Sequence, residues 1–74
     1  MLTHVIVRRR LRGAMKRRDY ILDLITERAA EMDVMHLESL HRVLIEREIE
    51  NLLKPELAYN ERLIQELEAR LKQH

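Results

Sequence analysis

Ser39 is the only serine in the chain, and His36 and His41 stand three residues before it and two after. A serine beside a histidine can begin an acyl-transfer constellation, with the imidazole taking the hydroxyl proton. On a helix, residues two apart point about 200° apart, so Ser39 and His41 face away from each other. His36 and Ser39, at i,i+3, could touch. No glycine-lined oxyanion loop accompanies them, and a 74-residue chain offers little concave pocket. Metal chemistry meets the same obstacle. Zinc needs three or four converging ligands, whereas His36 and His41 are five apart and diverge, and His4 and His74 stand near the termini. Glu46, Glu48 and Glu50 alternate, which scatters them around a helix. The chain has no cysteine nucleophile and no Gly-rich phosphate loop. The expectation is a non-enzyme with no metal and no cofactor.

The remaining chemistry is electrostatic. Arg8, Arg9, Arg10, Arg12, Lys16, Arg17 and Arg18 fall within the first eighteen residues, which hold no acid. The formal net charge of only +1 therefore conceals a basic head and an acidic body. Clustered charge of one sign attracts an oppositely charged surface. These seven residues are the candidate contact with a nucleic-acid backbone or another acidic surface. Neutralised phosphates release counterions, which makes such binding depend on salt. No Asn or Gln lies among residues 1–18 to read adenine, so weak sequence selectivity is expected. The only aromatic near the basic segment is Tyr20, which disfavours a base-stacking platform.

The elements that must position these residues read as helices. One Gly, one Pro, no Phe or Trp and abundant Leu, Glu, Arg and Ala favour an all-α chain. A single domain over residues 1–74 is expected. Residues 2–7 are short and β-branched, so 1–12 reads as a basic arm or short strand, with Gly13 weakening any helix through it. Helices are expected at 14–31, 34–53 and 56–72. Leu11, Met15, Arg18, Leu22, Ile25, Ala29 and Met32 share an a/d register on the first. Asp33 reads as the N-cap of the second, with a staple from Met32 to Leu37, although one uninterrupted rod to Pro55 is the alternative. Pro55 suits the start of the third, as a turn or only a kink.

On the second helix, Val34, Leu37, Leu44, Ile45, Ile49 and Leu52 gather on one side, while Leu40 and Val43 point the other way. Apolar residues on two sides ask for two neighbours, and a lone hairpin supplies one. Leu22, Ile25, Leu37, Leu40, Val43, Leu44, Ile49 and Leu52 are thus the candidate protein-binding or oligomer face. The fold expected is an antiparallel helical hairpin plus a third C-terminal helix, assembled as a dimeric bundle with a basic N-terminal arm. Met15, Met32 and Met35 read as core filler.

The order of a strand-like Thr3–Val7 followed by two helices resembles ribbon-helix-helix repressors in outline. The resemblance covers element order only. Leu2, His4 and Ile6 would stand where such repressors read bases, and the turn between the helices lacks glycine. No family is assigned on it.

The absence of cysteine suits a reducing compartment, and no apolar run approaches the ~20 residues that span a bilayer. Basic residues follow the apolar stretch rather than precede it, against a secretory signal, and the scarcity of hydroxyls is against an organelle presequence. The expected function is a small cytoplasmic regulatory or adaptor protein that binds a macromolecule, as a homodimer. The alternative is a helical protein-binding inhibitor or co-chaperone, with Leu40 and Val43 receiving a target helix. Under the regulatory reading with its basic arm, deleting residues 1–12 should leave helicity largely intact and abolish partner binding.

Overall fold

The computed structural model describes residues 2–73; Met1 and His74 lie outside the described residues. Two long helical arms run antiparallel and form a rod of 55 × 15 × 13 Å. The first arm is α1, Leu2–Asp33. The second starts with α2, Leu40–Glu48, passes through a π-helical turn at Ile49–Leu53, and continues as α3, Lys54–Lys72. Among the described residues there is no strand.

Three sequence expectations are corrected here. The arm or strand expected over 1–12 is the first third of α1 over its described part. β-Branching at Val5, Ile6 and Val7 carries a small propensity cost, and Gly13 costs about 1 kcal/mol relative to Ala. Burial of Val7 and Ala14 against Ile64 and Leu67 offsets both. The strand on which the ribbon-helix-helix resemblance rested is therefore absent from residues 2–12.

The second correction concerns the turn, which occupies residues 34–39 and so lies within the expected helix 34–53 rather than before it. Asp33 is the last residue of α1, and Ser39 holds the extended backbone (φ −66, ψ 130) that precedes α2. The staple does not form its buried contact, since Leu37 is 77% exposed. Backbone bonds from Met35 N to Met32 O (3.1 Å) and from Ser39 N to His36 O (3.0 Å) close the connection instead.

The third concerns Pro55, which neither ends a helix nor starts a separate one. Its missing N–H and bulky ring would disrupt a regular α-turn. The preceding turn is wider, with the Lys54 N–H donating to the carbonyl of Ile49. The second and third helices expected at 34–53 and 56–72 are thus one continuous arm from Leu40 to Lys72.

Two apolar clusters hold the arms together. Val7, Ala14, Ile64 and Leu67 form one at the terminal end, joined by Leu11, Met15, Leu63 and Leu71. Ile21, Ile45, Ile49 and Leu53 form the other toward the turn, joined by Leu24, Ile25, Met32, Met35 and Leu57. The α1 seam reads 7, 11, 14, 18, 21, 25, 28, 32, alternating steps of four and three. Arg18 and Arg28 occupy two of its positions, with side chains 33% and 34% exposed.

Candidate functional site

The basic residues expected to act together do share one half of one helix. Arg8, Arg9, Arg10, Arg12 and Lys16 are exposed on α1, and among the described residues none of the five makes an ion pair. Arg9, Arg12 and Lys16 recur at i, i+3 and i+7, on the side of α1 opposite Val7, Leu11 and Ala14. They form a ridge facing away from the partner arm. Arg8 stands beside it, next to Leu11, Arg12 and Met15 in an open groove.

Arg17 and Arg18 are engaged differently. Arg17 donates from Nε to Glu56 Oε1 of α3 at 2.7 Å, and its guanidinium carbon lies 5.2 Å from the Tyr20 ring centroid. Arg18 sits in the seam and donates to Asp19 Oδ1 at 3.1 Å. The seven sequence-predicted cations therefore divide into five with uncommitted charge and two that bind within the hairpin. The facing part of α3 does not neutralise the five, because Glu61, Glu66 and Glu68 are balanced by Arg62, Arg70 and Lys72.

A second polar constellation bridges the arms nearer the turn. Arg28 donates from Nε to Glu48 Oε1 at 2.7 Å and approaches Glu31 Oε1 at 3.4 Å. The hydrogen bond with Glu48, then the negative charges of Glu48 and Glu31, raise the Arg28 pKa above the ordinary guanidinium value. His41, Leu44 and Ile45 complete the lining of the groove at this point. Arg42 donates to the carbonyl of Met32 at 2.6 Å, which also accepts the Met35 N–H, and so ties α2 to the C-terminus of α1.

Ser39 lies at the head of α2, while the Nδ1 atom of His36 accepts the Glu38 backbone N–H at 3.5 Å. His41 is exposed. Among the described residues, no three His, Asp or Glu side chains are placed to hold a metal ion.

The candidate apolar face is divided by the fold. Ile49 is buried in the hairpin core and Ile25 packs at its edge. Leu22, Leu37, Leu40, Val43, Leu44 and Leu52 remain outside it, at 44%, 77%, 71%, 37%, 54% and 65% exposed. Sequence reasoning missed Ile21 and Leu53 as core residues and Arg28 and Glu48 as the inter-arm pair. It also missed Asn60, buried at 6% exposed, whose Nδ2 donates to the Glu56 carbonyl at 2.9 Å. The 3–4 alternation through Ile21 carried a signal; nothing in the sequence marks Asn60.

No family model, no curated protein and no solved structure matches the chain. No described helix is long and apolar enough to cross a membrane.

Proposed function

We propose that this chain is a small non-enzymatic regulatory or adaptor protein, a homodimer that holds the backbone of a nucleic acid through the basic half of α1. The observation that carries this reading is the set of five exposed cations, Arg8, Arg9, Arg10, Arg12 and Lys16, without an ion pair among the described residues. A helical ridge of such residues meets phosphates at a spacing set by the helix, while the absence of Asn and Gln keeps it from reading bases closely. The cytoplasm suits a chain without cysteine.

Salt tests the proposal. Four to five neutralised phosphates give a log–log slope of about −3.6 to −4.5, so affinity for a 20-base-pair duplex should fall roughly 150- to 500-fold between 50 and 200 mM salt. Replacing Arg8, Arg9, Arg12 and Lys16 together by Gln should flatten that slope to between about −1 and zero. Fluorescence anisotropy on the folded variant measures both. Equal affinity at the two salt concentrations, or a variant that binds like the parent, overturns the reading. Deletion of 1–12 does not isolate binding from folding, because Val7 and Leu11 belong to the core.

A second reading, an inhibitor or co-chaperone that docks protein, is favoured by Val34, Leu37 and Leu40 at the turn, 86%, 77% and 71% exposed. Leu40→Asp should then abolish capture of a protein target while leaving duplex binding unchanged.

A further inference from the structure

One flank of the rod carries exposed apolar side chains interleaved with inter-arm ion pairs. The two inter-arm ion pairs, Arg17–Glu56 and Arg28–Glu48, mark that flank. Ile6, Tyr20 and Leu24 share their column on α1, reached from Arg17 and Arg28 by helical steps of three or four through Arg10 and Gly13. On the other arm, Leu44, Leu52 and Tyr59 are interleaved with Glu48 and Glu56 in the same way. Ile6, Tyr20, Leu44, Leu52 and Tyr59 are all more than half exposed. The opposite flank of the second arm carries Glu46, Glu50, Lys54, Glu61 and Glu68 instead.

Charge identifies what can cover this flank. The terminal half of the rod, residues 2–18 and 58–73, holds ten basic and three acidic side chains. The turn half, residues 19–57, holds four basic and ten acidic. The molecule is its own electrostatic complement only when inverted end for end. A parallel copy would set like charge beside like along the whole rod. The face itself, 55 Å by 15 Å, offers roughly 800 Å² per copy, the size of a standard stable interface.

We infer that a second copy of this chain covers the flank, running antiparallel, with α1 laid against α1 about a two-fold axis that crosses the rod near Arg17 and Tyr20. Such an axis lies in the interface and reverses the rod, so each arm meets its own counterpart. Residues 2–18 of one copy then run beside residues 19–33 of the other, of whose acids Glu27 and Glu31 lie nearest the flank. Gly13 fits this placement. It weakens the helix, and nothing in the chain lies within 4 Å of where its Cβ would be, so no contact within the hairpin requires it. At the flank it lets a second helix approach closely. The Arg9–Arg12–Lys16 ridge points away from this surface and stays open to phosphate, whereas Arg10 lies in the covered column and faces the second copy. The inference deepens the homodimer of the proposed function and does not rest on nucleic-acid binding.

The natural chain has no cysteine, so single nitroxide labels can be placed at Lys16→Cys and Ala30→Cys, both exposed and off the flank. At ~1.5 Å per residue, Lys16 lies close to the axis and Ala30 far from it. Inter-copy label distances at Ala30 should exceed those at Lys16 by roughly 20 Å. Equal distances, as in a parallel pair, or no inter-copy distance at all, overturn the proposal. Leu44→Asp with Leu52→Asp, both at exposed positions, should give a monomer of unchanged helicity by sedimentation and circular dichroism. An undisturbed dimer would place the interface elsewhere and overturn the assignment of this flank. All of these measurements are made without nucleic acid, so failure of the duplex titration leaves them standing.

Discussion

Ile21 is fully enclosed with Ile45, Ile49 and Leu53, whereas Leu22, one position on, is 44% exposed. Ile21→Ala should therefore cost about 2–5 kcal/mol by lost burial and a residual cavity. Leu22→Ala should stay within about 0.5 kcal/mol in the isolated hairpin. Urea titration at low protein concentration separates the two. The sequence leaves these residues ambiguous for a definite reason. The seams 11, 15, 18, 22, 25, 29, 32 and 11, 14, 18, 21, 25, 28, 32 share four positions, and hydrophobicity favours the first, since the second admits Arg28. The second is the one that packs Ile21 against Ile45, Ile49 and Leu53, and it accommodates Arg28 through the 2.7 Å bond to the Glu48 carboxylate. Glu48 is twenty residues away in sequence, and the pairing appears only once the arms are aligned. Arg28→Glu should accordingly lower the melting temperature by placing three carboxylates together, and adding Glu48→Arg should restore most of the loss. The raised Arg28 pKa means its charge persists as pH rises, with its contribution lost only above the ordinary guanidinium range.

Along the second arm, Ile45, Ile49, Leu53 and Leu57 are spaced by fours, after which Asn60, Ile64 and Leu67 resume steps of three and four. Consecutive fours would carry a regular helix about 40° round its axis at each step. The π turn at Ile49–Leu53 absorbs that drift by holding one extra residue, and Pro55 lies just beyond it. Removing the extra residue should thus regularise the arm rather than unfold it. Deleting Asn51, which is exposed, together with Pro55→Ala leaves a seam of alternating fours and threes. Helicity and melting temperature should be retained or raised. Deleting Glu27 from the regular part of α1 should instead rotate one half of its seam out of the core and lower both. Circular dichroism on the two deletions checks the contrast. All-helical content was legible from composition, but the number of helices was not. Pro55 reads locally as a boundary, and a π turn has no distinctive composition to announce it. Residues 2–12 were misread similarly, since β-branching is local while the burial of Val7 depends on Ile64 and Leu67.

At the scale of the whole rod, the charge division was visible before the fold, because basic and acidic residues are segregated along the chain. The fold turns that linear segregation into polarity along a 55 Å axis, since α3 returns beside the basic segment with balanced charge. The candidate contact residues follow from this; which of them remain uncommitted required the positions of Glu56 and Asp19. The same geometry makes the basic half structural as well as electrostatic. The terminal cluster needs Val7 and Ala14 from α1 against Ile64 and Leu67 from α3, and neither arm has another neighbour within the chain. An isolated helical segment is marginal in water without such packing. Deleting residues 1–12 should therefore remove more helical signal than the deleted segment itself contributes, as the end of α3 frays. Amide exchange should accelerate beyond residue 60 and change less around Ile45 and Ile49, which pack in the other cluster. The Gln variant of Arg8, Arg9, Arg12 and Lys16 should keep protection throughout, because glutamine preserves helix propensity and none of the four side chains is buried. Equal exchange in the truncated chain and the parent would mean that α3 stands without α1, against the pairing of these two helices that defines the hairpin.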